Sequence, residues 1–171
     1  MAERDFIARL AATLGTSPAA RGFADDAAVW TPPLGRNLVF THDVLAAGVH
    51  YLPSDPPSDV AWKLLAVNLS DLAAMAATPA GVLLGLGLSG AEDEAWRDAF
   101  IAGLARALAH FGVELWGGDT VSGLGQAVLG EGARAVLADR LLVERGLQPR
   151  PGPGHHLQAG ARQLRVVVAT A

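Results

Sequence analysis

The sequence predicts an α/β (α+β) fold: a two-layer sandwich of order β-β-α-β-α-β-β, with helices on one face of a mixed sheet. Three observations predict it. Two long segments, one from Ser58 and one from Glu92, carry apolar residues at i, i+3, i+4 and i+7. Short apolar runs bounded by Gly and Pro lie before, between and after them. The apolar fraction is 51% of 171 residues, enough for the core of one ordinary domain.

Glu3–Leu14 reads as a helix, with Phe6, Leu10 and Leu14 spaced for one face, and Gly15-Thr16-Ser17-Pro18 ends it. Phe23–Trp30 reads as a strand entered through Asp25-Asp26. Asn37–Asp43 reads as a second strand ending on Asp43, paired with the first as a hairpin across Thr31–Gly35. Val44–Tyr51 reads as a loop. The prolines of Pro53–Pro57 bar a helix until Ser58, a plausible N-cap, with Asp59 in the first turn and paired to Lys63 at i+4.

The helix from Ser58 turns Trp62, Leu65, Ala66, Leu69, Leu72, Ala73 and Ala76 to one side, and Thr78-Pro79 closes it. At ~100° per residue, Asp71 points away from that side, while Asn68 and Met75 lie nearer to it. Gly81–Leu88 reads as a buried strand. Glu92–Phe111 reads as a helix with Trp96, Phe100, Leu104, Ala107, Leu108 and Phe111 inward and Gly112 as its stop. Val113–Trp116 is a short strand leading into Gly117-Gly118-Asp119-Thr120, and Gly125–Gly130 opens another. Further on, Glu131–Gly146 has an amphipathic helical pattern, Gln148–His156 is a Pro/Gly loop and Leu164–Ala169 has strand character.

Composition excludes several classes. No apolar run reaches the ~18 residues of a membrane span, and the first residues lack a signal-peptide stretch, which points to a cytoplasmic protein without a membrane partner. Cysteine is absent, so thiolate chemistry and disulfides are excluded. The net charge of −4 argues against a nucleic-acid partner. That charge is uneven: residues 1–130 carry −7 and residues 131–171 carry +3.

The carboxylates carry the chemical expectation. Asp25-Asp26, Asp43, Asp71 and Asp119 are far apart in sequence but mostly fall at ends of expected strands, where loops gather at one rim. Singly, each reads as a solvated turn residue. Asp71 stands out because Asp is a poor helix former in a helix interior. Together they are expected to converge on Asp71 and hold Mg²⁺, a hard ion bound by a few carboxylates, phosphates and water. Gly117-Gly118-Asp119-Thr120 reads either as a phosphate-facing turn or as an ordinary tight turn. His42 and His50 flank the Asp43 loop, His50 as a base, a ligand or a hydrogen-bonded loop residue.

Asp25-Asp26-Ala27-Ala28-Val29, Thr41-His42-Asp43, Gly48-Val49-His50-Tyr51, the Ala66–Met75 block with Asn68 and Asp71, and Gly117–Thr120 occur in an order and spacing that resembles thiamine-monophosphate kinase. The resemblance covers about residues 5–130. The wider superfamily, with aminoimidazole-ribonucleotide synthetase and selenophosphate synthetase, shares the acidic plan but not the Gly-Val-His-Tyr element. The resemblance implies ATP-dependent phosphorylation of thiamine monophosphate to thiamine diphosphate by in-line transfer, with several Mg²⁺ ions and no phosphoenzyme. It implies metal contacts at Asp26, Thr41, His42, Asp43, Asp71 and Asp119, ATP phosphates at Gly118 and Asp119, and the thiamine substrate at His50. At position 42 the family often has Thr, and its contact runs through the backbone. The family's amino-terminal domain, like that of aminoimidazole-ribonucleotide synthetase, forms a homodimer whose sheets join into a barrel.

Two mild departures are Ala24 and Ala76, where the family usually has Gly. The larger one is the end. Residues 1–130 are expected to be the ATP/Mg-binding and dimerisation domain. Residues 131–171 are expected to be an atypical, partly disordered tail, readable as a shifted frame, in place of the family's second domain. Two other readings stand beside the kinase: an inactive, dimerising nucleotide-binding module, and another ATP-using synthetase of the superfamily.

Overall fold

The computed structural model describes residues 3–15, 17–25, 27–137 and 166–168. Helix α1 (Glu3–Leu14) forms as its spacing predicts and buries Phe6 and Leu10. Arg9 ties it to the third helix, pairing with Glu94 and with Asp98, the latter at 2.6 Å. A short 3-10 segment, Pro18–Phe23, follows, capped by Ser17, whose Oγ accepts from the Ala20 amide at 3.2 Å.

No strand forms over Phe23–Trp30, so the expected hairpin is absent among the described residues. Alanine-rich Ala24–Ala28 has little β-branched surface to pack on a sheet, and the Val29 amide bonds back to the Ala19 carbonyl instead. Strand β1 (Leu38–Ala46) matches the second expected strand but runs three residues past Asp43, because Val44 and Leu45 keep its alternation going.

Helix α2 (Pro57–Ala74) begins one residue before Ser58. Ser58 is not the N-cap: Pro56 holds that place with no side-chain bond, and Pro57 supplies a pre-set helical φ. Asp59 faces Arg106 of the neighbouring helix at 3.5 Å, and Lys63 donates to the His50 carbonyl, so the expected Asp59–Lys63 pair is not made. The buried residues are Val60, Ala61, Leu64, Leu65, Asn68, Leu69 and Leu72, a wider arc than the expected face; Trp62 is half-buried and Ala73 exposed. The arc is wide because both the sheet and a second helix cover α2. Asp71 therefore does not point away from the packed side: it is half-buried against β1.

The helix stops at Ala74, and Ala76 turns the chain at a left-handed φ of 52°. Thr78-Pro79 does not close the helix but lies in strand β2 (Ala77–Leu88). The pairing register slips between Pro79 and Gly81, the kind of irregularity where a residue without an N–H is tolerated. Helix α3 (Glu94–Phe111) starts at an Asp93 cap, whose Oδ1 accepts from the Trp96 amide at 2.8 Å, and ends at left-handed Gly112. Glu92, expected in the helix, is buried before it and accepts from the Ser89 amide and hydroxyl and the Gly90 amide. At Gly103 the helices cross so closely that a Cβ would lie 2.3 Å from the Ser58 carbonyl oxygen.

Strand β3 (Glu114–Ser122) contains the whole Gly117–Thr120 run, which is extended backbone and not a turn. Strand β4 (Val128–Leu137) takes the first part of the expected 131–146 helix into the sheet; residues 138–146 lie outside the described ones, as do the Gln148–His156 loop and most of the tail. Strand β5 (Val166–Val168) falls within the expected Leu164–Ala169 strand. The sheet order is β3-β2-β4-β1-β5. β4 is antiparallel to both β1 and β2, while β2–β3 and β1–β5 are parallel. The α/β sandwich with a mixed sheet is the predicted class, lacking the first predicted strand. Among the described residues, no helix is long and apolar enough to cross a membrane.

Candidate functional site

Strand geometry divides the expected site. Alternate side chains of β1 leave opposite faces of the sheet. Thr41 and Asp43 share the face that meets α2; His42 and Val44 share the other, beside Gly130, where a Cβ would lie 3.3 Å from His42 Nε2.

On the helix side, α2 grips β1 at two points. Asp71 Oδ2 accepts from the Thr41 hydroxyl at 2.9 Å, and Thr41 is only 5% exposed. Asn68 Oδ1 accepts from the Asp43 amide at 3.0 Å, and its Nδ2 donates to the Leu64 carbonyl at 2.9 Å. Positions 68 and 71 are i and i+3 on one helix face, and positions 41 and 43 are i and i+2 on one strand face. Asn68 was not among the expected site residues. Its signal was present: a lone amide at i+4 from Leu64 in an otherwise apolar arc.

On the other face and round the β2–β3 edge lies a cavity of about 680 Å³. His42, Asp25, Gly118 and Asp119 line it, with Trp116, Phe23 and Leu10 as its apolar wall. Asp119, Gly85, Gly130 and Val44 are register partners across β3, β2, β4 and β1, so two glycines leave the middle of that row without side chains. Glycine at 118 has a packing cause: a Cβ there would lie 1.8 Å from the Leu84 carbonyl oxygen. The same close approach leaves bare backbone at the cavity wall. Trp30 packs against Trp116 in a tilted pair with centroids 5.2 Å apart, which holds the segment after Asp25 near β3. Asp25 also pairs with Arg21 at 2.6 Å, and Asp119 accepts from the Thr120 amide at 2.9 Å.

The expected convergence is thus partial. Thr41, Asp71 and the Asp43 backbone meet; Asp25, His42, Gly118 and Asp119 meet elsewhere. Asp26 lies outside the described residues. His50 is in the turn after β1, its Nδ1 accepting from the Ala46 amide at 3.0 Å, and it does not line the cavity. Burial first, and then the Glu92 carboxylate, push the neighbouring Tyr51 phenol above its ordinary pKa. Among the described residues, no three His, Asp or Glu side chains gather as a cation cage. Mg²⁺ is usually held by one or two carboxylates completed by phosphates and water. Asp71, with one oxygen held by the Thr41 hydroxyl, offers one carboxylate in that mode; at Asp43 the contact with α2 is made by the backbone amide.

The fold and the cavity define an α/β sandwich with an acidic, glycine-lined recess at its sheet. The chain belongs to the AIR synthase related protein family: the family's N-terminal domain matches residues 24–133. It is 46% identical over 128 residues to thiamine-monophosphate kinase of Caulobacter vibrioides, covering 74% of this chain and 36% of that protein. Among solved structures it is similar to thiamine-monophosphate kinase from Stenotrophomonas maltophilia K279a, with a TM-score of 0.67 and 39% identity over 80% of this chain and 42% of that one. AaThiL complexed with AMPPCP and TMP is similar with a TM-score of 0.58 and 28% identity, over 78% of this chain and 41% of that one. The chain therefore spans less than half the length of these relatives.

Proposed function

We propose that this chain carries the ATP- and Mg²⁺-binding part of a cytoplasmic thiamine-monophosphate kinase, which phosphorylates thiamine monophosphate to thiamine diphosphate. The supporting observation is the single cavity joining Asp25, His42, Gly118 and Asp119, three separate segments of sequence, in a chain 46% identical to such a kinase. The similar AaThiL structure with an ATP analogue and TMP supports the choice of substrates.

In this reading the bare backbone at Gly118 admits the ATP phosphates close to β3, and Asp119 meets their cations. Asp26, Thr41, Asp43 and Asp71 supply hard oxygen donors, and His42 contributes near the phosphate end of the cavity. Bound Mg²⁺ neutralises charge on the transferred phosphoryl group. The protein's own work is positioning: Asp71 is oriented by Thr41, and the Asp43 peptide is held on α2. His50 contacts the thiamine substrate from the turn after β1. The binding and dimer-forming unit is residues 1–130, and the exposed sheet-side residues Val44, Val121 and Val128 suit a homodimer through that face. Neither nucleic acid nor membrane is a partner.

The test is thiamine diphosphate formation by the purified chain with ATP and Mg²⁺, resolved by chromatography. Product above a no-enzyme control is the expected result. Mg²⁺-ATP binding without product would reduce the assignment to a nucleotide-binding module, and absence of both would sink it.

A further inference from the structure

We infer that Asn68 is a positioning residue of the site: its amide holds the Asp43 peptide on α2 and thereby sets Asp43 and Thr41 relative to Asp71. Asn68 is 0% exposed, in the middle of the most apolar arc of the helix. A primary amide there is costly unless its groups are bonded. Its Nδ2 is spent on the Leu64 carbonyl of its own helix, which fixes the plane of the amide. That leaves Oδ1 aimed across the layer at one atom, the Asp43 amide nitrogen, 3.0 Å away.

β4 pairs with β1 along one edge from Leu38 to Ala46. On the α2 side the Asp43 amide takes its acceptor from the helix, Asn68 Oδ1. Two residues before Asp43, the Thr41 hydroxyl donates to Asp71. The rise of β1 between positions 41 and 43 and the rise of α2 between 68 and 71 are thus locked by two bonds. β4 and the Thr41–Asp71 bond still hold the strand when the Asn68 bond is lost, but the Asp43 peptide is no longer tied to α2 and its position relative to Asp71 loosens.

This inference rests on the proposed Mg²⁺-ATP reading for its binding arm only. Its structural arm is amide hydrogen exchange at Asp43, compared with Val39 and Leu45 of the same strand, followed by NMR on the full chain. In Asn68→Leu, Asp43 exchange is expected to accelerate at least roughly tenfold while the two neighbours hold. Mg²⁺-ATP affinity by calorimetry is expected to fall roughly tenfold or more with the melting temperature retained, the range typical of lost outer-shell partners. Asn68→Asp keeps the Oδ1 acceptor but gives up the Leu64 bond, and is expected to recover Asp43 protection only in part. Ser70→Ala, exposed on the same helix, is expected to change neither readout.

Should Asn68→Leu not fold, Asn68→Ser takes its place, because its hydroxyl can bond the Leu64 carbonyl but is too short to reach Asp43. Unchanged Asp43 exchange in the folded variant overturns the inference. So does an accelerated Asp43 amide with full Mg²⁺-ATP affinity. If the wild-type chain binds no Mg²⁺-ATP, the proposed function fails, and Asp43 exchange alone decides whether Asn68 holds the strand.

Discussion

The Thr41 hydroxyl donates to Asp71 Oδ2 across 2.9 Å, joining a strand residue to a helix residue thirty positions away. The bond occupies one carboxylate oxygen of Asp71 and fixes the direction of the other. Asp71 is thus held from the layer it faces, not merely carried by its helix.

Asp71→Asn keeps an oxygen for the Thr41 hydroxyl but removes the charge. The expected outcome is a fold of near-wild-type stability and Mg²⁺-ATP affinity lowered at least roughly tenfold. In a double-mutant cycle, Thr41→Val with Asp71→Ala, which removes both oxygens, should show a coupling of roughly 0.5–3 kcal/mol in urea unfolding. A coupling near zero would mean that the bond does not form in solution.

Leu69→Ala empties a position only 7% exposed in the main core. The expected loss is ~2–5 kcal/mol through lost burial and a residual cavity. Chemical denaturation measures it, and a loss under ~1 kcal/mol would place Leu69 outside the packed arc.

Gly103→Ala sets helix propensity against packing. Alanine is the better helix former by ~1 kcal/mol. Its Cβ would nevertheless meet Ser58 Cα at 2.4 Å, and backbone has no rotamer with which to yield. The helices must separate, so a net destabilisation of ~1–3 kcal/mol is expected. A more stable variant would show that α2 and α3 cross less closely.

Ala76→Gly acts in the opposite direction. Ala76 sits at a φ of 52°, where a Cβ costs ~1–2 kcal/mol. Glycine removes that strain but adds ~0.4–1 kcal/mol of unfolded-state entropy. A net gain of up to ~1 kcal/mol is expected in the urea midpoint, and a clear loss would contradict the left-handed turn.

Tyr51 gives a pH dependence. Its phenol is raised above its unfolded value by burial and then by Glu92. The fold therefore favours the neutral form. That contribution is complete below the unfolded pKa of about 10 and is lost as pH rises through the higher folded value. Urea midpoints of the native chain should fall above about pH 10, and Tyr51→Phe should flatten that fall. An identical alkaline slope in both proteins would exclude Tyr51 as its source.

The local code made α1, α2, α3 and the middle of β1 and β2 legible, because apolar spacing at periods of 3.6 and 2 is a property of the chain itself. It misled at Phe23–Trp30, where a run of Ala and Asp with a single Val offers little β-branched surface to a sheet, and at Thr78-Pro79, where a register slip accommodates a proline in β2. It also misled at Glu131–Leu137, whose helical pattern yields to two flanking strands, β1 and β2.

The sequence by itself determined which residue types could do chemistry: the dispersed aspartates, the Gly117-Gly118 pair and the histidines, all visible as composition and spacing. Only the tertiary structure decided which of them meet. Strand alternation sends Thr41 and His42 to opposite faces of the sheet, and the packing of α2 turns Asn68 and Asp71 toward β1. Those pairings span 25 and 30 residues. Contacts of that separation depend on how layers stack and which strand lies beside which, and no local periodicity encodes that.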